Sequence, residues 1–162
     1  MELKDQPTNY MGEVKVQVKL TNSRDADDAE DRLLDPERVR TVTTTGMVDT
    51  GAVRSVLPPH LAERLGLKIR RQQVVEYADG RKEAVGVVRG VIFQIMDREA
   101  QEEAYVLGDE VLIGQTVLEV MDLLVDCRRH CLVPNPAHPD QSVNKLKSLR
   151  LAARRFAGPR RP

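Results

Sequence analysis

The stretch Glu13-Val14-Lys15-Val16-Gln17-Val18-Lys19-Leu20 alternates polar and apolar side chains without a break. Successive side chains on an extended chain point to opposite faces, so this spacing puts Val14, Val16, Val18 and Leu20 together. A helix would scatter the same four residues around its axis. The segment therefore reads as a strand with one dry face, which needs a sheet and a covering layer.

Much of the remaining chain reads the same way. Val39 to Val48 is rich in Val and Thr and suits a strand. Pro58 and Pro59 open a short helix, His60 to Leu65, with Gly66 placed to end it. Val74 to Tyr77 and a long run from Lys82 to Met96 flank Ala78-Asp79-Gly80-Arg81, and Asp-Gly between two such runs signals a hairpin. Gly86 and Gly90 inside the second run predict bends or close backbone approach. Two short strands, Ala104 to Leu107 and Val111 to Ile113, surround Gly108-Asp109. From Gln115 to Leu124 the pattern is helical, with Val117, Leu118, Met121 and Leu124 on one side. Leu123 to Val133 reads as a hairpin turning at Cys127-Arg128-Arg129. Many short strands with two short helices specify a mainly β fold, a small closed barrel.

Composition removes several function classes. The chain has 162 residues, about one domain's worth. No apolar run approaches the roughly 20 residues that span a bilayer. The N-terminal Met1 to Gln6 lacks the apolar core of a secretory signal. Two cysteines are too few for a disulfide framework, and a reducing cytoplasm is the expected compartment. With 25 basic and 25 acidic side chains the formal charge is zero, and there is no Trp, which disfavours bulk nucleic-acid coating or base stacking. The charges are nevertheless blocked. Seven acidic residues against three Arg lie between Thr21 and Arg38, and seven basic residues against Asp140 alone follow Pro134. Such blocks read as solvated segments, an acidic loop insertion over 21–38 and a basic tail over 134–162.

Familiar site patterns are missing: no Gly-rich phosphate loop, HExxH or GxSxG motif occurs. Cys127, His130 and Cys131, with His138, fit no standard zinc spacing, so neither metal nor cofactor is expected. The chemistry-bearing segment is Met47-Val48-Asp49-Thr50-Gly51-Ala52, where an apolar strand end runs into an acid, a hydroxyl and a glycine. A carboxylate there can be held in a turn facing substrate and water. Thr50 can bond locally or to a second chain, and Gly51 allows a path that a side chain would block.

This loop resembles that of the retroviral-type, or retropepsin-like, aspartic proteases, and the likeness extends over about residues 12 to 133. Val56-Leu57-Pro58 leads into the helix as in bacterial and cellular members, and Leu112-Ile113-Gly114 resembles the family's apolar-apolar-Gly element ahead of its helix. The hairpin from Tyr77 to Lys82 falls where the family carries its flap. The resemblance implies an aspartic endopeptidase domain over 1–133. Peptide hydrolysis by this route uses two carboxylates facing one water, one ionised and one protonated. Only one Asp-Thr-Gly is present. The implied enzyme is accordingly a homodimer acting on an extended polypeptide, with Asp49, Thr50 and Gly51 catalytic, Thr50 locking the two loops and Gly51 meeting substrate. Ala52, the flap residues Tyr77, Ala78, Asp79 and Gly80, and Ile113 and Gly114 become the implied substrate-binding set.

Two departures are visible. Viral members pair an Asp after the loop with an Arg after the Ile-Gly element, whereas Val53 and Gln115 occupy those positions here. In the C-terminal segment, Leu146, Leu149, Ala153 and Phe156 share one helical side among basic residues, which suits a tail, or a contact with a partner or anionic surface. Two rival functions follow: a non-catalytic dimer of the same fold that binds peptides, and a domain recruited to nucleic acid or membrane by its basic tail.

Overall fold

The computed structural model describes residues 12–146. The alternating segment forms strand β1 (Lys15–Asn22), with Val14, Val18 and Leu20 buried and Val16 half-buried. It runs antiparallel to β2 (Thr41–Val48), Lys15 opposite Met47 and Thr21 opposite Thr41. The remaining strands of this sheet are β3 (Val56–Leu57), β4 (Ile69–Glu76), β5 (Lys82–Ile95), β6 (Arg98–Val106) and β7 (Val111–Ile113). Their order is β1-β2-β7-β3-β6-β5-β4, and β1 also pairs with β5. Six strands thus close into a ring, the expected small barrel, while β4 hangs from β5 as an outer strand. Val18, Leu20, Phe93, Ile95 and Ile113 fill its interior with no exposed surface.

β5 shows how the barrel turns its corner. Val88 pairs with Ala104 but Val91 with Glu102, so Arg89-Gly90 carries an extra residue as a bulge. Inward positions consequently switch phase, from Val88 to Val91, Phe93 and Ile95, all buried. Gly90 sits at φ +72°, and a Cβ there would come within 2.4 Å of the Ser23 hydroxyl. The bend expected at this glycine has that cause.

The structure corrects the reading of the acidic segment. Residues 21–38 are not simply a solvated loop: β1 continues to Asn22, helix α1 covers Ser23–Glu30, and a 3-10 turn covers Pro36–Arg38. The Asn22 side chain caps α1 by accepting from the Asp25 amide. Asp25 itself is buried and grips Arg40, with contacts of 2.7 Å to Nε and 2.8 Å to Nη2 and a further 3.0 Å bond from the Arg40 amide. Those bonds hold the Asp25 carboxyl below its usual range. Acidity alone gave no sign that one of the seven carboxylates would turn inward.

Helix α2 (Pro59–Arg64) lies where two prolines and Gly66 bracket it, with Leu61 and Ala62 buried. Helix α3 (Gln115–Met121) buries Val117, Leu118 and Met121 but ends earlier than its pattern suggests. Asp122 adopts φ 54°, a left-handed turn that reverses the chain, so Leu124 falls instead on β8 (Leu123–Asp126), 45% exposed. β8 pairs with β9 (Cys131–Pro134) as a separate two-stranded sheet, the expected hairpin.

Beyond β9, residues 135–143 stay tied down. Arg98, only 5% exposed, donates from Nη1 to the carbonyls of Met121 and Asp122 and from Nη2 to those of His138 and Pro139. Its charge thereby rests on the carbonyl end of α3. The Asp122 carboxylate accepts from Asn135 Nδ2 at 2.9 Å and the Val143 amide at 3.2 Å, and meets His138 Nδ1 at 2.6 Å. These contacts hold residues 135–143 against the end of α3. Of the C-terminal helical pattern, only Leu146 falls within the described residues; the rest lies outside them.

Candidate active site

β2 and β7 run parallel, with Val48 opposite Ile113, and the chain leaves β2 at Asp49. The Asp49 amide donates to the Ile113 carbonyl at 2.9 Å, continuing the ladder by one rung. Past that point the backbone turns. Its closing bond runs from the Ala52 amide to the Asp49 carbonyl at 3.2 Å, while the Gly51 amide donates to Asp49 Oδ1 at 3.0 Å. The carboxylate is half-buried and aimed by its own loop, an Asx turn that only a short side chain can make. Thr50 and Gly51 stand exposed at its tip.

The far side of the loop hangs from the start of α3. Gln115 and Thr116 donate their amides to the carbonyls of Ala52 and Val53 at 2.8 and 3.2 Å. The Thr116 hydroxyl lies 2.9 Å from the Val53 carbonyl and 2.6 Å from Glu102 Oε2. Ser55, wholly buried, accepts from the Gly114 amide at 2.9 Å. Gly114 passes so close that a Cβ would lie 2.5 Å from the Arg54 carbonyl carbon. The apolar-apolar-Gly element therefore serves as the beam from which the Asp49 loop is suspended. No motif in the sequence marks Ser55 or Thr116 for this role. A lone hydroxyl beside the buried pair Val56-Leu57 was the available signal for Ser55.

The structure gathers Asp49, Thr50, Gly51, Ala52, Ile113 and Gly114 into one unit. Tyr77, Ala78, Asp79 and Gly80 form a separate tip at the end of the β4–β5 hairpin, joined to that unit by no hydrogen bond among the described residues. The tip is internally braced. Tyr77 and Arg81 pair through the backbone at 2.8 Å, and the Arg81 guanidinium stacks 4.4 Å above the Tyr77 ring. The Tyr77 hydroxyl donates to Glu83 Oε2 at 2.7 Å, a bond to a carboxylate that raises the phenol's pKa.

At Val53 and Gln115 there is no ion pair. Val53 is 69% exposed, and Gln115 bonds instead to Glu119 on its own helix at 3.0 Å. Beside Thr50 lies a surface hollow of about 490 Å³, lined by Gln115, Leu118, Glu119, Leu124 and Val143 among others. Among the described residues, no group of three or more His, Cys, Asp or Glu side chains converges on a metal position.

Residues 38–120, which include the Asp49 loop, the hairpin tip and the Ile113-Gly114 beam, match the family described as "gag-polyprotein putative aspartyl protease". The chain belongs to the retroviral-type aspartyl protease family. Among solved structures, the retroviral protease-like domain of Ddi1 from Leishmania major is similar, with 19% identity over 76% of this chain and 90% of that one and a TM-score of 0.47. No curated protein matches in sequence. The family match ends within α3, so this retroviral-type domain carries β1, β8 and β9 outside the matched span.

Proposed function

We propose that this retroviral-type protease is an aspartic endopeptidase whose active site forms between two copies of the chain. The observation that carries the reading is the Asp49 loop itself: one carboxylate, aimed by the Gly51 amide and hung from Ile113 and the start of α3, with Thr50 and Gly51 exposed beside it. A second copy facing the first across a two-fold axis would bring two Asp49 carboxylates to one water. Two acids at close range cannot both stay ionised, so the pair holds one proton. The ionised Asp49 takes a proton from the attacking water, and its protonated twin polarises the peptide carbonyl and returns a proton to the leaving nitrogen. Thr50 of each copy braces the other loop. Gly51 and Ala52 present backbone to an extended peptide, and the Tyr77–Gly80 tips close over it by strand-like pairing.

Exposed apolar side chains beside this loop support the two-fold arrangement. Val53, Leu124 and Val143 are 69%, 45% and 39% exposed, and β8–β9 is a two-stranded sheet whose outer edges pair with no other strand among the described residues.

The test pairs wild-type protein with Asp49→Asn on a diverse peptide library. Asn keeps the shape of Asp but cannot cycle a proton, so cleavage should disappear while the circular dichroism spectrum and sedimentation coefficient stay unchanged. Well below the dimer dissociation constant, the wild-type rate should scale with the square of protein concentration. Undiminished cleavage by the Asn variant would remove Asp49 from the mechanism. A monomer cleaving at a rate linear in concentration would remove the two-fold site. Peptide binding by the wild type without cleavage would leave a binding module of the same fold.

A further inference from the structure

A cleft of about 600 Å³ opens at the end of the barrel remote from Asp49. β1 connects the two places, from Lys15 opposite Met47 near the Asp49 loop to Asn22 on the cleft wall. At about 3.3 Å per strand residue they stand roughly 23 Å apart. The start of α1, the turn after α2, the first residues of β4 and the β5 bulge meet there.

Five cationic side chains line it, Arg24, Arg40, Lys68, Arg70 and Arg89, against two carboxylates, Asp25 and Asp28. Arg40 and Asp25 neutralise one another through their paired bonds. Arg89 leans 3.4 Å from Glu103, which Arg71 already holds at 2.8 Å. Arg24, Lys68 and Arg70 thus face Asp28 as the one unspent carboxylate of the lining. Repulsion among like charges is tolerated at a surface, but it is relieved by an anion that all of them can reach.

The rest of the wall narrows the ligand's chemistry. Ser23 is 6% exposed, and its hydroxyl stands over Gly90, so the floor consists of a small polar side chain and bulged backbone. Leu67 is the single apolar side chain in the lining, and no aromatic ring borders it. A nucleobase would meet no aromatic ring here, and an acyl chain would have Leu67 alone to bury against. Guanidinium forks, by contrast, match the oxygens of a phosphoryl group, and the volume suits a small molecule. We propose that this cleft binds a compact, multiply charged phosphoryl compound, held by Arg24, Lys68, Arg70 and Arg89 above the Ser23–Gly90 floor. The site is independent of peptide cleavage and stands whether or not Asp49 is catalytic.

The probe is sodium tripolyphosphate, titrated into the full chain by calorimetry at fixed ionic strength, with citrate as the carboxylate counterpart. Tripolyphosphate should bind saturably at one site per chain, and amide resonances of Ser23 and Gly90 should shift in step. Arg24→Ala with Arg70→Ala should weaken binding at least tenfold, while Asp28→Asn, which removes the opposing charge, should tighten it several-fold. Both arginines are exposed, so the melting temperature of the double variant should match the wild type. Non-saturable uptake, equal affinity in the double variant, or no gain from Asp28→Asn would mean a merely solvated basic face and overturn the site. Citrate binding as tightly as tripolyphosphate would overturn the phosphoryl assignment.

Discussion

Gly114→Ala tests whether the Asp49 loop is held by backbone fit. A methyl group at this position would lie 2.5 Å from the Arg54 carbonyl carbon, 2.8 Å from its oxygen and 2.8 Å from the Ser55 nitrogen. All three are backbone atoms, so no side chain can swing aside. Restoring ordinary carbon contact, about 3.5 Å, requires the two segments to part by roughly 1 Å. That displacement stretches the 2.9 Å bond from the Gly114 amide to Ser55 Oγ beyond hydrogen-bond range, and Ser55 has no exposure through which water could replace it. Overpacking costs about 1–3 kcal/mol and an orphaned buried polar pair about as much again. Both arise from one movement, so they overlap, and the expected loss is about 2–4 kcal/mol. Backbone strain adds nothing, because φ at Gly114 is −82°. For a chain of this size the melting temperature should fall by roughly 4–16 °C. Gly108→Ala is the contrast: nothing lies within 4 Å of its Cβ, and only its φ of +69° opposes the change, at about 1–2 kcal/mol. Differential scanning calorimetry on both variants reads the difference. In a double-mutant cycle with Ser55→Ala, the two losses should be less than additive. A Gly114→Ala protein melting within about 2 °C of wild type would refute the suspended-loop account.

Three further outcomes follow from the ion pairs and the hairpin tip. Asp25 has a depressed folded-state pKa, caused mainly by Arg40, so its stabilisation is present above the ordinary value of 3.8 and lost as pH falls through the folded value. Urea unfolding at pH 7 should show Asp25→Asn weaker by about 1–3 kcal/mol, with the gap narrowing as pH falls below 3.8 towards the folded value; a gap that does not change with pH would discount the pair. The Asp122 carboxyl is likewise held low, chiefly by Asn135 and also by His138 and Val143, so acidification through its folded value, or Asp122→Ala, should lower the protection factor of the Val143 amide, the slowing of its exchange relative to an unstructured amide at the same pH, and unchanged protection would contradict the clamp. If the hairpin tip closes on substrate, Glu83→Gln should raise KM roughly two- to tenfold by loosening Tyr77, the worth of one exposed hydrogen bond, with kcat changing less; an unaltered KM would show that the brace does not position the tip.

The barrel was legible because its strands carry local signals: strict alternation in β1, the Asp-Gly turn before β5, and the Leu112-Ile113-Gly114 run. The loop–beam unit was legible because short-range chemistry marks both of its halves. What escaped depends on contacts between distant residues. Asp25 looks like any other acid in its run until Arg40, fifteen residues on, closes over it. Arg98 reads as a surface charge, since nothing nearby in sequence foretells that carbonyls of residues 121, 122, 138 and 139 will converge on it. The spacing of Leu124 from Val117 and Met121 suits a helix. The left-handed turn at Asp122, braced from Asn135 and His138, overrides that periodicity.

The bond between Asp49 and Ile113 carries a consequence in time. Sixty-four residues of chain separate its two ends, so a ribosome adding about 5–20 residues per second needs roughly 3–13 s to travel from one to the other. Throughout that interval Asp49 has left the peptidyl-transferase centre while the strand that holds its loop does not yet exist. β2 and β3 must likewise wait for β7 and β6, because their parallel partners are among the last strands of the barrel to be made. A chain stalled before Val111 can fold its early hairpins but cannot aim its carboxylate. Assembly order alone keeps the nascent polypeptide without the organised loop until the barrel can close.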